Sequence, residues 1–300
     1  MEFLRLIESI RAPFLDTIFG IITRLGEETV AVVIICAIFW CINKRAAYGI
    51  GVAFFFSGLT VQGLKICLRI DRPWIADPTL RPVPSALTAA TGYSFPSGHT
   101  QSASALFGSL GVWIKQKPIK ALCFLIVALV AFSRIYLGVH TPLDVIASLL
   151  ISFALIWLTT KIFAADKADK KREFIISMAM ALFAAAVGVI SITLYASKAI
   201  EHSYAADSLK AVGAGIGFAA GMFIERAYIG FSVKTKSILW QIIKFVLGFA
   251  GVLAIKEGLK LIIGTTLAAD ISRYFLMTAW VTVGFPLIIK RFFSVFDDRA

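Results

Sequence analysis

The chain alternates long apolar runs with short polar clusters, and the length of the runs decides what they are. Crossing the hydrocarbon core of a bilayer takes about 20 mostly apolar helical residues. Nine runs approach that length: 29–43, 46–64, 97–114, 118–138, 142–163, 174–196, 208–229, 238–262 and 273–292. They predict an all-α fold, a polytopic transmembrane helical bundle. The segment before them is patterned differently. Phe3, Ile7, Ile10, Phe14, Ile18 and Ile22 recur at three- and four-residue steps, with Arg5, Glu8, Arg11, Asp16 and Arg24 between them. An apolar stripe on a charged helix predicts an amphipathic element in the membrane interface over residues 1–28, bent at Pro13, rather than a span.

Composition agrees with this pattern. At 59% hydrophobic residues over 300 positions, the chain is not a soluble domain. A formal charge of +12 would point a soluble protein towards nucleic acid, but these charges cluster between the apolar runs, so no nucleic-acid partner is expected. Lys44 and Arg45, then Lys115, Lys117 and Lys120, then Lys167, Lys170, Lys171 and Arg172, then Lys234 and Lys236, and finally Lys290 and Arg291 fall on one side of the nine-span topology. By the positive-inside rule that side is cytoplasmic, which predicts an integral protein of the plasma membrane. Residues 1–28 carry a charge every few positions and lack a signal peptide's apolar core and small-residue cleavage site. Insertion is therefore expected to use the internal spans. Cys36, Cys41, Cys67 and Cys123 show no paired spacing, and neither a disulfide framework nor a metal site is expected.

A polar linker, Asp166 to Glu173, divides the chain. The expected organisation is an interfacial helix over 1–28, a catalytic transmembrane core over 29–163 and a four-span region of unassigned role over 164–300. In the last region Gly213, Gly217 and Gly221 form a small-residue stripe of the kind that lets helices approach closely. Glu225, Arg226, Lys256, Glu257 and Lys260 lie near run ends, where snorkelling or mutual pairing competes with a second polar site. His202 reads as an ordinary surface histidine.

Three strings in the core carry chemistry: Lys65 with Arg72-Pro73, then Pro96-Ser97-Gly98-His99, then Ser133-Arg134 with His140 and Asp144. In the nine-span topology all three fall on the extracytoplasmic side. Singly, each has a plain reading. Ser97 after a proline is a good helix N-cap. Thr141-Pro142-Leu143-Asp144 is a good helix start, with Asp144 part of the cap. Lys65, Arg72 and Arg134 are ordinary partners of helix C-termini and lipid headgroups. Together they offer more. Free N–H groups at helix N-termini and cations at helix C-termini, on one membrane face, make a cradle for phosphate, and Gly98 lets an anion approach the backbone. Asp144 is placed to fix the tautomer of His140. The stretch from Lys65 to Pro96, with Trp74, Tyr93 and Phe95, reads either as a gate over a lipid headgroup or as an aromatic belt.

Lys65 to Pro73, Pro96 to His99 and Ser133 to Asp144 resemble the three signature motifs of the type 2 phosphatidic acid phosphatase (PAP2) superfamily, which includes vanadium haloperoxidases and glucose-6-phosphatase. The resemblance covers residues 1 to about 163 and does not reach the last four spans. It implies six core spans, of which this chain supplies five after its interfacial helix. It also implies roles: His140 as the nucleophile on phosphorus, Asp144 as its orienting partner, and His99 as the acid that protonates the leaving oxygen and later helps activate water. Lys65, Arg72 and Arg134, with Ser97 and the Gly98 amide, would neutralise the phosphate oxygens, with no metal and no cofactor. The function expected is a lipid phosphatase at the extracytoplasmic face, with undecaprenyl diphosphate favoured by the resemblance. Phosphatidate, phosphatidylglycerophosphate, or phosphoryl transfer to another acceptor are the alternatives. A transporter or scaffold that only binds phosphate is the competing class, but binding needs cations and amides and not a nucleophile with its acid.

Overall fold

The computed structural model describes residues 1–164, 169–235 and 237–293. Lys167 and Lys236 of the charge argument lie outside the described residues. Every regular element among the described residues is helical. The first are α1 (Glu2–Ser9), α2 (Pro13–Thr23), α3 (Glu28–Ala37), α4 (Lys44–Leu68) and the short α5 (Pro73–Ala76). There follow α6 (Gly98–Ala103), α7 (Ser109–Trp113), α8 (Lys117–Tyr136), α9 (Pro142–Ala164), α10 (Lys170–Ala196) and α11 (His202–Ile224). The last are α12 (Ile238–Leu253), α13 (Leu259–Ile263), α14 (Leu267–Ala279) and α15 (Phe285–Ile288).

Among the described residues seven stretches are long and apolar enough to cross a membrane: Lys44–Ala76, Lys117–Tyr136, Pro142–Phe163, Lys170–Ala196, His202–Ile229, Ile238–Ile263 and Leu267–Phe293. Two of the nine expected runs behave differently. Residues 29–43 are too short alone; Pro13–Gly26 and Glu28–Ile42 pass together as a pair bent by 49°. The run at 97–114 is one short helix, α6 continuing through a π-helical turn at Ser104–Gly108 into α7. At the N-terminus, the proline divides rather than bends the helix. Pro13 has no N–H to give to the previous turn, so α1 ends at Ser9 and Pro13 opens α2.

The chain packs as two units. The first comprises Met1–Val32 and Val52–Ile162; the second comprises Val33–Gly51 with the described residues from Phe163 onward. Residues 33–51 thus pack with the C-terminal helices, although in sequence they adjoin the motif-bearing spans.

In the first unit the decisive local structure is the turn between α8 and α9. Gly138 at φ +75 reverses the chain, as a residue without Cβ does at low cost, and the Gly138 and Val139 amides bond back to the carbonyls of Ile135 (3.0 Å) and Arg134 (3.2 Å). His140 follows at once, and Pro142 starts α9. Tyr136, Leu137 and Val139 of this turn are buried in a cluster with Ile7 of α1 and Val83 and Ala86 of the 69–97 loop. Arg11 adds polar ties, donating through Nε to the Tyr136 carbonyl (2.7 Å) and through Nη1 to the Arg81 carbonyl. Arg5 of α1 reaches the loop at Asp77, 2.8 Å away.

In the second unit the glycine stripe on α11 is a packing surface. A Cβ at Gly213, Gly217 or Gly221 would strike α14 or its continuation at Ile271, Phe275, Thr278 and Thr282. The charges near the span ends are largely paired. Glu225, fully buried, accepts from Lys44 (2.7 Å) and from the Tyr48 hydroxyl, and Arg226 pairs with Glu173 at 2.7 Å. Lys256 and Glu257 lie 3.7 Å apart near the surface. His202 rests edge-on against Tyr195.

Candidate active site

The site forms within the first unit where the C-terminal ends of α4 and α8 meet the N-terminal ends of α6 and α9. That arrangement puts cationic side chains beside free helix amides.

His140 sits at its centre, 1% exposed. Its Nδ1 is 3.4 Å from Asp144 Oδ2 and its Nε2 is 2.8 Å from Arg72 Nη1. A guanidinium N–H can only donate, so Nε2 must hold a lone pair and Nδ1 the proton, directed at Asp144. His140 is thus set in the tautomer that leaves a lone pair on Nε2. Burial, and then the positive charges of Arg72, Arg134 and Lys65 and the proximity of His99, hold its pKa well below the usual histidine range. The ring is therefore neutral near pH 7.

Asp144 serves both readings of its position. It exchanges bonds with Thr141 as a cap: the Thr141 amide donates to Oδ2 at 2.8 Å, and Thr141 Oγ1 accepts from the Asp144 amide at 3.3 Å. The same Oδ2 accepts from the Ser94 hydroxyl at 2.6 Å.

Ser97 caps α6, accepting from the Thr100 amide at 3.4 Å and the Thr100 hydroxyl at 3.0 Å. Accepting does not use its own proton, which remains to be donated. Its amide bonds the Asp144 carbonyl (3.1 Å) while Ser148 bonds both the Ser97 and Asp144 carbonyls, so the starts of α6 and α9 are knitted together. A Cβ built on Gly98 meets nothing within 4 Å, which leaves open space before the amides. Gly26 contributes from the opposite side: a Cβ there would lie 2.7 Å from the His99 carbonyl, so only glycine lets this turn lie against the first turn of α6.

The cations are held in place and buried. Lys65, 7% exposed, donates to the Tyr93 carbonyl at 2.5 Å. Arg72, 4% exposed, also donates to the carbonyls of Thr91 (2.5 Å), Gly92 (3.0 Å) and Val139 (3.0 Å). Arg134, fully buried, gives Nη1 to Thr23 Oγ1 at 2.7 Å while its Nε and Nη2 lack a partner, as does His99 Nε2. Buried donors left unsatisfied are costly, and their convergence beside His140 fits an anion as the missing partner.

Lys65, Arg72, Ser97, Gly98, His99, Arg134, His140 and Asp144 come together in this cluster, whereas the Ser133 hydroxyl bonds back to the Val130 carbonyl of its own helix. Sequence reasoning missed Ser94, Thr23, Gly26 and Ser148. Ser94 alone had a signal, a hydroxyl two positions before the second motif in an otherwise aromatic stretch. The other three act through tertiary contacts that no spacing announces.

Comparison with known proteins agrees with the geometry. Residues 46–168 match the family model of the PAP2 superfamily. Residues 209–295 match a second model, described as PAP2 superfamily phosphatase, transmembrane extension. The relation therefore reaches into the last spans, contrary to the expectation that it stops near residue 163; helix-packing surfaces such as the α11 stripe carry no motif by which to see it.

Phosphatidylglycerophosphatase B of Bacillus subtilis (strain 168) is 26% identical over 167 residues, covering 50% of this chain and 75% of that protein. A probable sphingosine-1-phosphate phosphatase of Dictyostelium discoideum is 30% identical over 51% of this chain and 40% of its own length. Phosphatidylglycerophosphatase B of Escherichia coli (strain K12) is 38% identical over 24% of this chain and 31% of its own length. Among solved structures, Aquifex aeolicus LpxE shares 31% identity over 53% of this chain and 93% of that one, with a TM-score of 0.47. With its motifs assembled into one cluster and both family models matched, the chain belongs to the PAP2 superfamily as a membrane-embedded phosphatase.

Proposed function

We propose that the protein removes a phosphate from a lipid phosphate or diphosphate through a phosphohistidine on His140, without a metal, at the extracytoplasmic face of the plasma membrane. The observation that carries this reading is the His140 ring, held by Asp144 at Nδ1 and presenting Nε2 towards Arg72 among buried cations.

In the mechanism that follows, substrate phosphate takes the Arg72 Nη1 hydrogen bond from His140 Nε2 and occupies the unsatisfied donors of Arg134. In the free site burial and then Arg134, Arg72 and Lys65 hold the His99 pKa well below the usual range; the bound phosphate offsets these cations, so that His99 enters the step carrying a proton taken up with the substrate. Nε2 of His140 then attacks phosphorus and the bond to the leaving oxygen breaks as His99 Nε2 gives that oxygen its proton. In the second step His99 takes a proton from water as the water oxygen attacks phosphorus, the N–P bond breaks, and phosphate leaves. Lys65, Arg72, Arg134, Ser97 and the Gly98 amide stabilise the charge that spreads over the equatorial oxygens.

Three cations and a phosphate leaving group favour a diphosphate, with undecaprenyl diphosphate as the preferred candidate. The second reading is a phosphatidylglycerophosphate or phosphatidate phosphatase, favoured by the names of the Bacillus and Escherichia relatives. Phosphate release by the purified protein, measured across long-chain polyprenyl diphosphate, phosphatidylglycerophosphate, phosphatidate and a soluble sugar phosphate, tests both. Highest kcat/KM on the diphosphate supports the first reading, and preference for a glycerolipid monoester replaces it with the second. Full activity of His140→Ala would remove the mechanism, as would inactivation by EDTA that magnesium reverses.

A further inference from the structure

One short segment reaches the groups on both nitrogens of the His140 ring. The carbonyls of Thr91 and Gly92 hold the Arg72 guanidinium that faces Nε2, and the carbonyl of Tyr93 holds Lys65. The next residue, Ser94, is 1% exposed and turns its hydroxyl the other way, to Asp144. Gly92 at φ +67 makes this course of the backbone cheap, and the Ser94 amide ties the segment to the Ile70 carbonyl at 2.8 Å, two residues before Arg72.

Asp144 Oδ2 receives three donors, and their lengths rank them: Ser94 Oγ at 2.6 Å, the Thr141 amide at 2.8 Å and His140 Nδ1 at 3.4 Å. One oxygen cannot serve three donors equally, so the Ser94 bond is made at the expense of the bond to the imidazole. Ser94 is thus placed to govern how strongly the carboxylate draws a positive charge onto the ring.

We infer that Ser94 is a positioning residue for the nucleophile, fixing the Asp144 carboxylate and moderating its pull on His140. The inference rests on His140 being the nucleophile proposed above. The other charged or titratable groups around the ring are Arg72 and Lys65 from the α4 side, His99 on α6, Arg134 on α8 and Asp144 on α9. Only Asp144 among them favours the imidazolium, and it is Asp144 that the Ser94 hydroxyl engages.

The test is the pH dependence of kcat and kcat/KM for Ser94→Ala, Ser94→Thr and Ser94→Cys, on phosphatidate in detergent micelles. Ser94→Ala is expected to lower kcat about 10- to 100-fold, by analogy with the loss of a group that orients a metal-ligating side chain. It should also raise the acid limb of kcat/KM by about half a pH unit or more, because Asp144 then binds the imidazolium more closely. Ser94→Thr, which keeps the hydroxyl, should restore both towards wild type. An Ala variant with an unmoved acid limb, whatever its rate, overturns the inference, and so does failure of Thr to rescue. If Ser94→Ala does not fold, Ser94→Cys, similar in volume but a weak donor, supplies the same readout and the same criterion. His140→Ala separates the two readings: its activity would remove the proposed mechanism, whereas an inactive His140→Ala beside wild-type-like Ser94 variants would remove only the role of Ser94.

Discussion

Replacing Asp144 by asparagine separates what its charge does from what its hydrogen bonds do. The donors from Ser94, Thr141 and His140 converge on the single oxygen Oδ2. An amide oxygen in that place can accept all three, so the asparagine side chain should keep Ser94, the α9 cap and the His140 tautomer as they are. What is lost is the negative charge facing the positive charge that develops on the ring. At 3.4 Å and an effective dielectric of ~20, two unit charges attract by about 5 kcal/mol. Ser94 and Thr141 already engage the same oxygen, which lowers the share available to the ring. A loss of about 2 to 3 kcal/mol, or about 30- to 150-fold in kcat, follows. Asp144→Leu removes the acceptor as well and leaves Ser94 and the Thr141 amide unsatisfied, at about 1–3 kcal/mol each, so it should lose more activity and also stability. The assay is phosphate release from saturating lipid monophosphate in detergent, with thermal unfolding measured in parallel. A loss near 10⁴-fold, the scale seen when a carboxylate-to-amide change imposes the wrong histidine tautomer, would refute the shared-oxygen argument. A loss under about threefold would refute a role for the charge.

Other outcomes follow from the same geometry. His99→Ala should lose far more activity on alkyl phosphates than on an aryl phosphate whose leaving group needs no proton, and equal losses on both would remove its role as acid. Because the His140 pKa is held below its ordinary value of about 6.5, the free enzyme needs no deprotonation there to be active. The acid limb of kcat/KM should therefore lie below about pH 6.5, and the stability that this neutral ring contributes is present above that pH and lost as pH falls below it. An acid limb above pH 7 would contradict this. For topology, a single cysteine at the exposed Thr88 in a cysteine-free background should react with an impermeant thiol reagent in intact cells, and one at the exposed Lys117 only after permeabilisation; the reverse pattern would put the site in the cytoplasm.

The helical, membrane-spanning character of the chain was legible from the apolar runs because a bilayer imposes a length and a composition on whatever crosses it. The site was legible for a similar reason. Holding a phosphate calls for cations and helix N-termini, and short motifs at helix ends place several of these by local rules: Ser97 as a cap, Thr141 and Asp144 as a capping pair, Pro142 at a first turn. Span boundaries were less legible where length was marginal, so the run at 29–43 proved to be the second half of a bent pair. Tertiary structure alone decided the rest. Ser94 reaches Asp144 across 50 residues, Thr23 reaches Arg134 across 111, and Gly26 fits against His99 only because two helix ends meet there. Likewise the grouping of residues 33–51 with the C-terminal helices rests on contacts such as Lys44 with Glu225, 181 residues apart. Local sequence sets the conformation of a turn and the end of a helix, but which buried donor finds which acceptor depends on how distant helices pack. Sequence therefore named the groups to which the chemistry is assigned in the proposed function, while the fold chose the groups that hold them in place.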